Sequence, residues 1–381
     1  MISNYPGEQA LRDFLKDAHI PSLLGTLAHI TQDLTLLKEE FRPNYIETAA
    51  GFQPQGGLSA KAQDKVRDFA FSVIQRLHEG VIERKPPMEM AKVRQIMEYM
   101  IGPFSDDHFT LLLNELGLSE YIPSPLWHKS SLSPKRDFKV AIIGAGLSGL
   151  GAAYRLKQVG IPFVILERNH QVGGVWSENN YPGCHLDTSN FNYSYSFNQN
   201  PHWKEEFASR DAILEYLKAS VDQFELQDHI RLNTEVVSGQ YNENDGHWML
   251  TLRNRDGTSD QLVVQALISA VGQLNNPNYP DIENLDVFRG HSWHTARWNK
   301  DAELQGKRVG VIGTGASGFQ AIQKIAEVAS ELTIFQRTPP WVRHTPGYNS
   351  LMKEGSRWLF VNLPNYHRWL RVYRMWVGMG R

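Results

Sequence analysis

The chain has one cysteine, Cys184, among its 381 residues. A lone thiol excludes an internal disulfide and every CxxC-type redox pair. An excess of either charge is missing as well: 39 Lys and Arg stand against 41 Asp and Glu, a net charge of −2, with a pI of about 6.7. Binding to nucleic acid through a basic face is therefore not expected. Long apolar runs are absent, so no transmembrane segment is expected, and the first residues lack the basic-then-apolar order of a signal segment. These absences make the cytoplasm the default location, and no metal is expected. What is present, 41% hydrophobic and 21% charged residues, is ordinary for a soluble globular chain with room for two or three domains.

The stretch Lys139 to Arg168 organises the rest. An apolar run, Val140 to Ile143, is long enough for one buried parallel strand. It passes through Gly144-Ala-Gly146-Leu-Ser-Gly149 into helical spacing at Leu150, Tyr154, Leu156 and Val159, then returns as a strand from Phe163 to Leu166. Such a glycine turn lets the backbone approach a pyrophosphate at a helix start, and an acid closing the second strand binds a ribose hydroxyl. Glu167, 23 residues after Gly144, stands where that acid belongs. It suits the unphosphorylated ribose of FAD or NAD.

The unit recurs at Lys307 to Arg337: strand Val309 to Ile312, Gly313-Thr314-Gly315-Ala316-Ser317-Gly318, a helix to about Ala329, strand Leu332 to Phe335. Here Gln336 replaces the acid and Arg337 follows. Loss of the carboxylate removes repulsion with a 2′-phosphate, and the arginine offers it a planar donor, so NADP is preferred over NAD. The alternative for Arg337 is a solvated residue beyond a strand end. Two such sites point to a flavin reduced by NADPH, and the single cysteine sets aside the disulfide reductases. The expected fold class is α/β, with two dinucleotide-binding (Rossmann-type) units, for FAD and NADP, preceded by a small all-α domain.

Residues 1 to 121 read as helices. Leu23, Leu27, Ile30, Leu34 and Leu37 form one stripe; Val66, Phe69, Val73 and Leu77 form another; Val93, Met97 and Met100 a third. Ser105 or Asp106 caps a last helix carrying Phe109, Leu112, Leu113 and Leu116. Met88, Met90, Met97 and Met100 are expected in the core, and the domain is a candidate surface for a homodimer. Residues 122 to 137, with three prolines and four serines, read as a linker. The expected divisions then run 138–280 for FAD, 281–306 as an interdomain linker, and 307–381 for NADP.

Beyond the first unit, Gly173-Gly174 permits a further close backbone approach. Asp187 is open between two roles: a turn-capping aspartate, or a group orienting a nicotinamide amide or a partner arginine. Cys184 and His185 read as packing or polar lining. Arg231 to Arg253 reads as a β-meander turning at Asn242 to Gly246, and Leu262 to Val271 as one buried strand.

Between the nucleotide units lies Phe288-Arg-Gly290-His-Ser-Trp-His294-Thr-Ala-Arg-Trp298, an FxGxxxHxxxW pattern. With this pattern flanked by two GxGxxG loops, the chain resembles the type I Baeyer–Villiger monooxygenases. The helical extension is similar to the 4-hydroxyacetophenone monooxygenase branch, which implies aryl or other bulky ketones. The departure at Asn299, where the family has Pro or Asp, is small. The resemblance places FAD contacts on Gly144, Gly146, Gly149, Glu167, Val175, Trp176, Asp187, Tyr193 and Val236. It places NADP contacts on His185, Leu186 and Asp187, on Thr314, Gly315, Ala316, Ser317, Gly318, Phe319 and Gln320, and on Arg337 and Thr338. His185-Leu186 stand where the family has Arg-Cys, which leaves those two positions in doubt while Asp187 agrees.

Asp187 and His294 are the catalytic residues so implied, the latter within the linker that couples NADPH binding to domain motion. The implied reaction is hydride transfer from NADPH to FAD, activation of O2, and insertion of one oxygen beside a ketone carbonyl to give an ester or lactone. The alternatives are an N- or S-oxidising flavin monooxygenase and an inactive truncated FAD-binding fragment. The family's catalytic arginine has no counterpart in 338–381, so the chain reads as C-terminally truncated. The aromatic, basic tail from Arg357 to Arg381 is expected to be a helical insertion, with a membrane-surface segment as the alternative.

Overall fold

The apolar spacing of the N-terminal third produces helices at all three stripes, and the first helix on its stripe is shorter than its pattern. This computed structural model describes residues 2, 4–44, 47–48, 51–83, 85–122, 125–342, 345 and 347–378. Pro123 and Ser124 of the expected linker and Met379, Gly380 and Arg381 of the tail lie outside the described residues. In chain order the elements are α1 (Glu8–Leu15), α2 (Ile20–Thr31), the two-residue strands β1 (Glu47–Thr48) and β2 (Gly51–Phe52), α3 (Ala60–His78), α4 (Met90–Ile101), α5 (Asp106–Leu116) and α6 (Lys129–Leu132). Next come β3 (Val140–Ile143), α7 (Leu147–Gln158), β4 (Phe163–Leu166), α8 (Val175–Glu178), α9 (Arg210–Gln223) and β5 (Ile230–Arg231). The strands β6 (Thr234–Asn242), β7 (His247–Asn254), β8 (Ser259–Val264) and β9 (Ala266–Ser269) follow. The last are β10 (Arg308–Ile312), α10 (Ala316–Ala326), β11 (Glu331–Phe335), α11 (Glu354–Asn362) and α12 (Tyr366–Gly378).

The chain is mixed α/β and divides into two units. One comprises Met1–Ser124, Thr188–Phe207 and Gly347–Arg381; the other Pro125–Asp187 and Ala208–Pro346. Three sequence expectations change here. Residues 347–381 join the N-terminal helices and not a 307–381 nucleotide domain, and residues 188–207 leave the 138–280 segment to do the same. The linker 122–137 is not wholly irregular: His128 caps α6, and the Lys129 amide donates to Val159 O at 2.9 Å.

In the helical unit, the stripe from Leu23 to Leu37 does not form one helix. Gln32 turns left-handed with φ 54°, and the Asp33 carboxylate accepts from Thr35 N and Oγ1 at 2.9 and 2.6 Å, starting a new turn. Short polar side chains bonding their own backbone compete with helix propagation in this way. Ser105 caps α5 as expected, accepting from His108 N. Met88, Met97 and Met100 are core residues, whereas Met90 is about half exposed, at 49%.

The aromatic tail is spent on this core. Trp358, Phe360 and Tyr366 bury with Leu11, Leu23 and Ile74, and Trp369 and Trp376 bury with Ile96, Met100 and Leu116. Each large apolar side chain so buried stabilises by roughly 1.5–3 kcal/mol. That leaves Trp358, Phe360, Trp369 and Trp376 turned into the protein.

The second unit holds a four-stranded parallel sheet in the order β5-β4-β3-β9, an antiparallel meander β6-β7-β8, and a parallel pair β10-β11. The meander turns at Asn242 to Gly246 as its sequence indicates. Leu262 to Val271, however, is two strands and not one. Val264 ends the meander, Gln265 donates its amide to Lys139 O, and Ala266 starts the strand beside β3. The second apolar helix also stops at Ala326, before Ala329.

Candidate functional site

The two βαβ units repeat one geometry. In the first, Gly144 has φ +103° and donates its amide to Leu166 O at 2.8 Å; in the second, Gly313 has φ +95° and donates to Phe335 O at 2.9 Å. Only glycine adopts that backbone readily. A Cβ on Gly149 would sit 1.9 Å from Gly144 O, and one on Gly318 would sit 2.6 Å from Gly313 O. The third glycine of each loop is thus what allows helix and strand to approach. Gly146 and Gly315 immediately precede helices α7 and α10, neither with a side-chain cap, so each helix presents its positive dipole end beside its loop.

The acid and its replacement close the loops differently. Glu167, 4% exposed, accepts from Ala145 N at 2.8 Å and from Asn169 N at 2.9 Å. Gln336 instead donates its amide to Thr314 Oγ1 at 2.8 Å. Arg337 and Thr338 lie exposed just beyond the strand.

Opposite the first loop, Gly174 starts α8, and its Cα approaches Gly146. A Cβ on Gly174 would be 3.1 Å from Gly146 Cα. Val175 and Trp176 are half-buried on α8. Val236 lies at the bulge in β6 and packs on the cluster of Ala141, Leu166 and Leu252. Tyr193 belongs to the helical unit, apart from the other expected flavin contacts in the chain's division.

Asp187 meets the second βαβ unit directly. Its Oδ1 accepts from Gln320 Nε2 at 2.8 Å, and the same Nε2 donates to His185 O at 3.0 Å. Gln320 Oε1 accepts from Tyr181 Oη at 2.9 Å and from His185 N at 3.4 Å. Gly183, with φ +81°, lies where a Cβ would come within 2.9 Å of Gln320 O. Burial raises the Tyr181 pKa, so its hydroxyl stays a donor, and burial likewise raises that of Cys184. Leu186 is buried, with its amide on Ala208 O. Ala316, Ser317 and Phe319 line the first turns of α10.

The Phe288 to Trp298 stretch is anchored at its end. Trp298 packs on Tyr181, Cys184, Ala321 and Ile325, and stands edge-on to Trp293 at 5.4 Å. Arg297 reaches Glu178 Oε2 at 3.4 Å. His294 caps a short turn, its Nδ1 accepting from Ala296 N at 3.1 Å, with Tyr279 edge-on at 5.4 Å. Phe288 is exposed and covers Gly290.

Sequence reasoning missed Glu178 and Tyr181. Glu178 accepts from Arg168 and Asn169, each at 2.9 Å; burial alone would raise its pKa, but these bonds and the two arginine charges win and lower it. Nothing in the local pattern marks it. Tyr181 precedes a Pro-Gly turn, which is the signal that was available. A cleft of about 820 Å³ is lined by Tyr181, Arg210, Trp298 and Lys324 among others and by none of the six motif glycines, which sets it apart from the two glycine loops. No helix among the described residues is long and apolar enough to cross a membrane.

With this geometry in view, three comparisons are informative. Over 369 residues the chain is 33% identical to the uncharacterized monooxygenase y4iD of Sinorhizobium fredii, covering 96% of this chain and 54% of the relative. It is 39% identical over 244 residues to a Baeyer–Villiger monooxygenase of Pseudomonas aeruginosa, covering 64% of this chain and 44% of the relative. A crystal structure of OTEMO in complex with FAD and NADP superposes with a TM-score of 0.53 at 38% identity, over 58% of this chain and 43% of that one. The chain spans about half the length, or less, of these relatives. The flavin-binding monooxygenase-like family matches residues 137–361, well over half of the sequence, and the chain belongs to that family.

Proposed function

We propose that the protein is the FAD- and NADPH-binding part of a Baeyer–Villiger monooxygenase acting on aryl or other bulky ketones, within the 4-hydroxyacetophenone monooxygenase branch. The observation that carries this is the Phe288 to Trp298 stretch lying between two glycine-loop units. Trp298 is packed on the second unit, and Arg297 is tied to Glu178, which also accepts from Arg168 at the end of the first. The Pseudomonas aeruginosa relative and the FAD- and NADP-bound neighbour support it. In this reading the two βαβ units are Rossmann-type, and the preceding helices form a small domain through which two copies associate, which sedimentation of the full chain checks.

The chain's residues fit both cofactors. The Gly144–Gly149 loop and the α7 start would hold the FAD pyrophosphate, with Glu167 bracing the loop through Ala145 N and offering its remaining lone pairs to a ribose hydroxyl. The Gly313–Gly318 loop would hold the NADP pyrophosphate, with Arg337 on the 2′-phosphate and no acid to repel it. When bound, the reduced flavin would supply the activation of O2, one atom of which is inserted beside the carbonyl while the other leaves as water. The Asp187 carboxyl group is held beside α10 by Gln320 Nε2, set to orient a nicotinamide amide or a cationic partner. His294 braces the linker turn.

The test is the visible spectrum of the chain with FAD, before and after NADPH without oxygen, followed by product analysis on an aryl ketone and a thioether. A bound flavin band that bleaches, and an ester product, are expected. Absence of flavin binding, or abundant sulfoxide with no ester, overturns the reading.

A further inference from the structure

We infer that Gln320 is a positioning residue: it latches the loop from Tyr181 to Asp187 onto α10 and so fixes the Asp187 carboxylate relative to the second glycine loop. The kinetic half of this inference rests on the function proposed above; the latch itself does not.

The argument is one of hydrogen-bonding capacity. A glutamine amide has two acceptor lone pairs and two N–H donors. Gln320 commits both of the first to Tyr181 Oη and His185 N, and both of the second to His185 O and Asp187 Oδ1. Gln320 and Tyr181 are each 7% exposed, so the bond between them is screened from water and costly to lose, while the bonds to His185 and to the exposed Asp187 lead from that buried anchor to the surface. An amide so committed does not read a nucleotide, although its place in the motif suggests that it would. It reads the loop.

The backbone reinforces the side chain. Gly183 lies directly on the Gln320 carbonyl, where a Cβ would come within 2.9 Å. The partners of Gln320 lie more than 130 residues away, whereas the Gly313–Gly318 loop opens the same helix one turn earlier. Holding the Asp187 loop on α10 therefore sets the distance between the groups of the first unit and a nicotinamide bound at the second. Placement errors of about 1 Å at a reacting centre cost about 100-fold in rate.

The lone cysteine supplies an internal reporter. Cys184 lies within the latched loop, is 7% exposed and is the chain's one thiol. In the full chain, 5,5′-dithiobis(2-nitrobenzoate) labels it slowly while the latch is closed. Gln320→Leu keeps the volume and removes the bonds. We expect its Cys184 to label at least about 10-fold faster, since loss of a charge-assisted hydrogen bond favours local opening by that factor or more. Anaerobic flavin reduction should slow by about 100-fold, while the NADPH concentration giving half the limiting rate changes by less than about 3-fold.

Gln320→Glu sets a second carboxylate against Asp187, and like charges at that distance share a proton at low pH. Its labelling rate relative to wild type should therefore rise with pH.

Unchanged labelling in Gln320→Leu overturns the latch. Faster labelling with unchanged reduction overturns the positioning role. A loss confined to NADPH affinity returns Gln320 to direct nucleotide contact and also overturns it. If the wild-type chain fails to bind or reduce flavin, the proposed function falls, while the labelling rates still decide the latch.

Discussion

Gln336 donates its side-chain amide to Thr314 Oγ1 at 2.8 Å, across the same sequence span over which Glu167 accepts from Ala145 N in the first unit. One neutral bond and one carboxylate thus close two otherwise matching glycine loops. The neutral closure leaves Arg337 without an adjacent acid.

Arg337→Ala is therefore expected to weaken NADPH by about 1.5–3 kcal/mol, the range of hydrogen bonds to charged groups, and to leave NADH unchanged. Gln336→Glu should act in the same direction by restoring a carboxylate beside the 2′-phosphate. Equilibrium titration with both nucleotides checks this. An equal loss for NADH and NADPH would place Arg337 elsewhere than on the 2′-phosphate.

The glycines differ in what they tolerate. Gly149→Ala forces a Cβ to 1.9 Å from Gly144 O, whereas at Gly315 nothing lies within 4 Å of the added atom. Gly149→Ala should lower the melting temperature and abolish flavin binding. Gly315→Ala should keep the wild-type melting temperature, so that any loss of NADPH binding reports contact with the nucleotide itself. A melting curve on each variant, with a flavin titration of Gly149→Ala and an NADPH titration of Gly315→Ala, suffices. Retained flavin affinity in Gly149→Ala would falsify the role given to that loop.

Buried histidines make the helical unit acid-sensitive. Trp369 Nε1 donates to His29 Nδ1 at 3.1 Å, so that nitrogen carries no proton and the ring is neutral. Burial lowers its pKa, against a smaller upward pull from Glu120. Burial and then Arg374 lower His19 to about 3, and burial and then Arg368 lower His367 to about 4.

In the unfolded chain histidine titrates near about 6.5, so below that pH the unfolded state binds more protons. The stability these rings provide is complete above about 6.5 and is lost as pH falls toward about 3. The urea midpoint should drop steadily from pH 7 to pH 4.5, and His29→Gln should flatten the slope. A slope identical to wild type would rule out a contribution from His29.

Arg371 ties α12 to α5 and to residues 188–207. It pairs with Glu115 at 2.7 Å, the side chains being 4% and 13% exposed, and donates to Phe191 O, to Ser194 Oγ at 2.9 Å and to Ser194 O at 3.0 Å. Removing one partner of a buried pair costs about 3–5 kcal/mol. Arg371→Met should reach that range because it strands the carboxylate and two carbonyls together, whereas Glu115→Gln should cost less because an acceptor remains. Denaturant unfolding of the two variants tests the order, and equal costs would show that the carbonyl bonds contribute little.

The chain's local chemistry fixed what lies within about thirty residues. The glycine spacing dictated two tight turns, the apolar runs gave the strands, and the choice of Glu167 or Gln336 was visible as a charge or its absence. These are determined by φ preference, periodicity and valence, all readable in order along the chain. Tertiary structure alone decided the rest. It assigned Thr188–Phe207 and Gly347–Arg381 to the helices, split Leu262 to Val271 between two sheets, and set Gln320 against Tyr181, His185 and Asp187. Those outcomes depend on which distant groups satisfy a buried donor or cover an aromatic face, and no local period encodes a partner more than a hundred residues away.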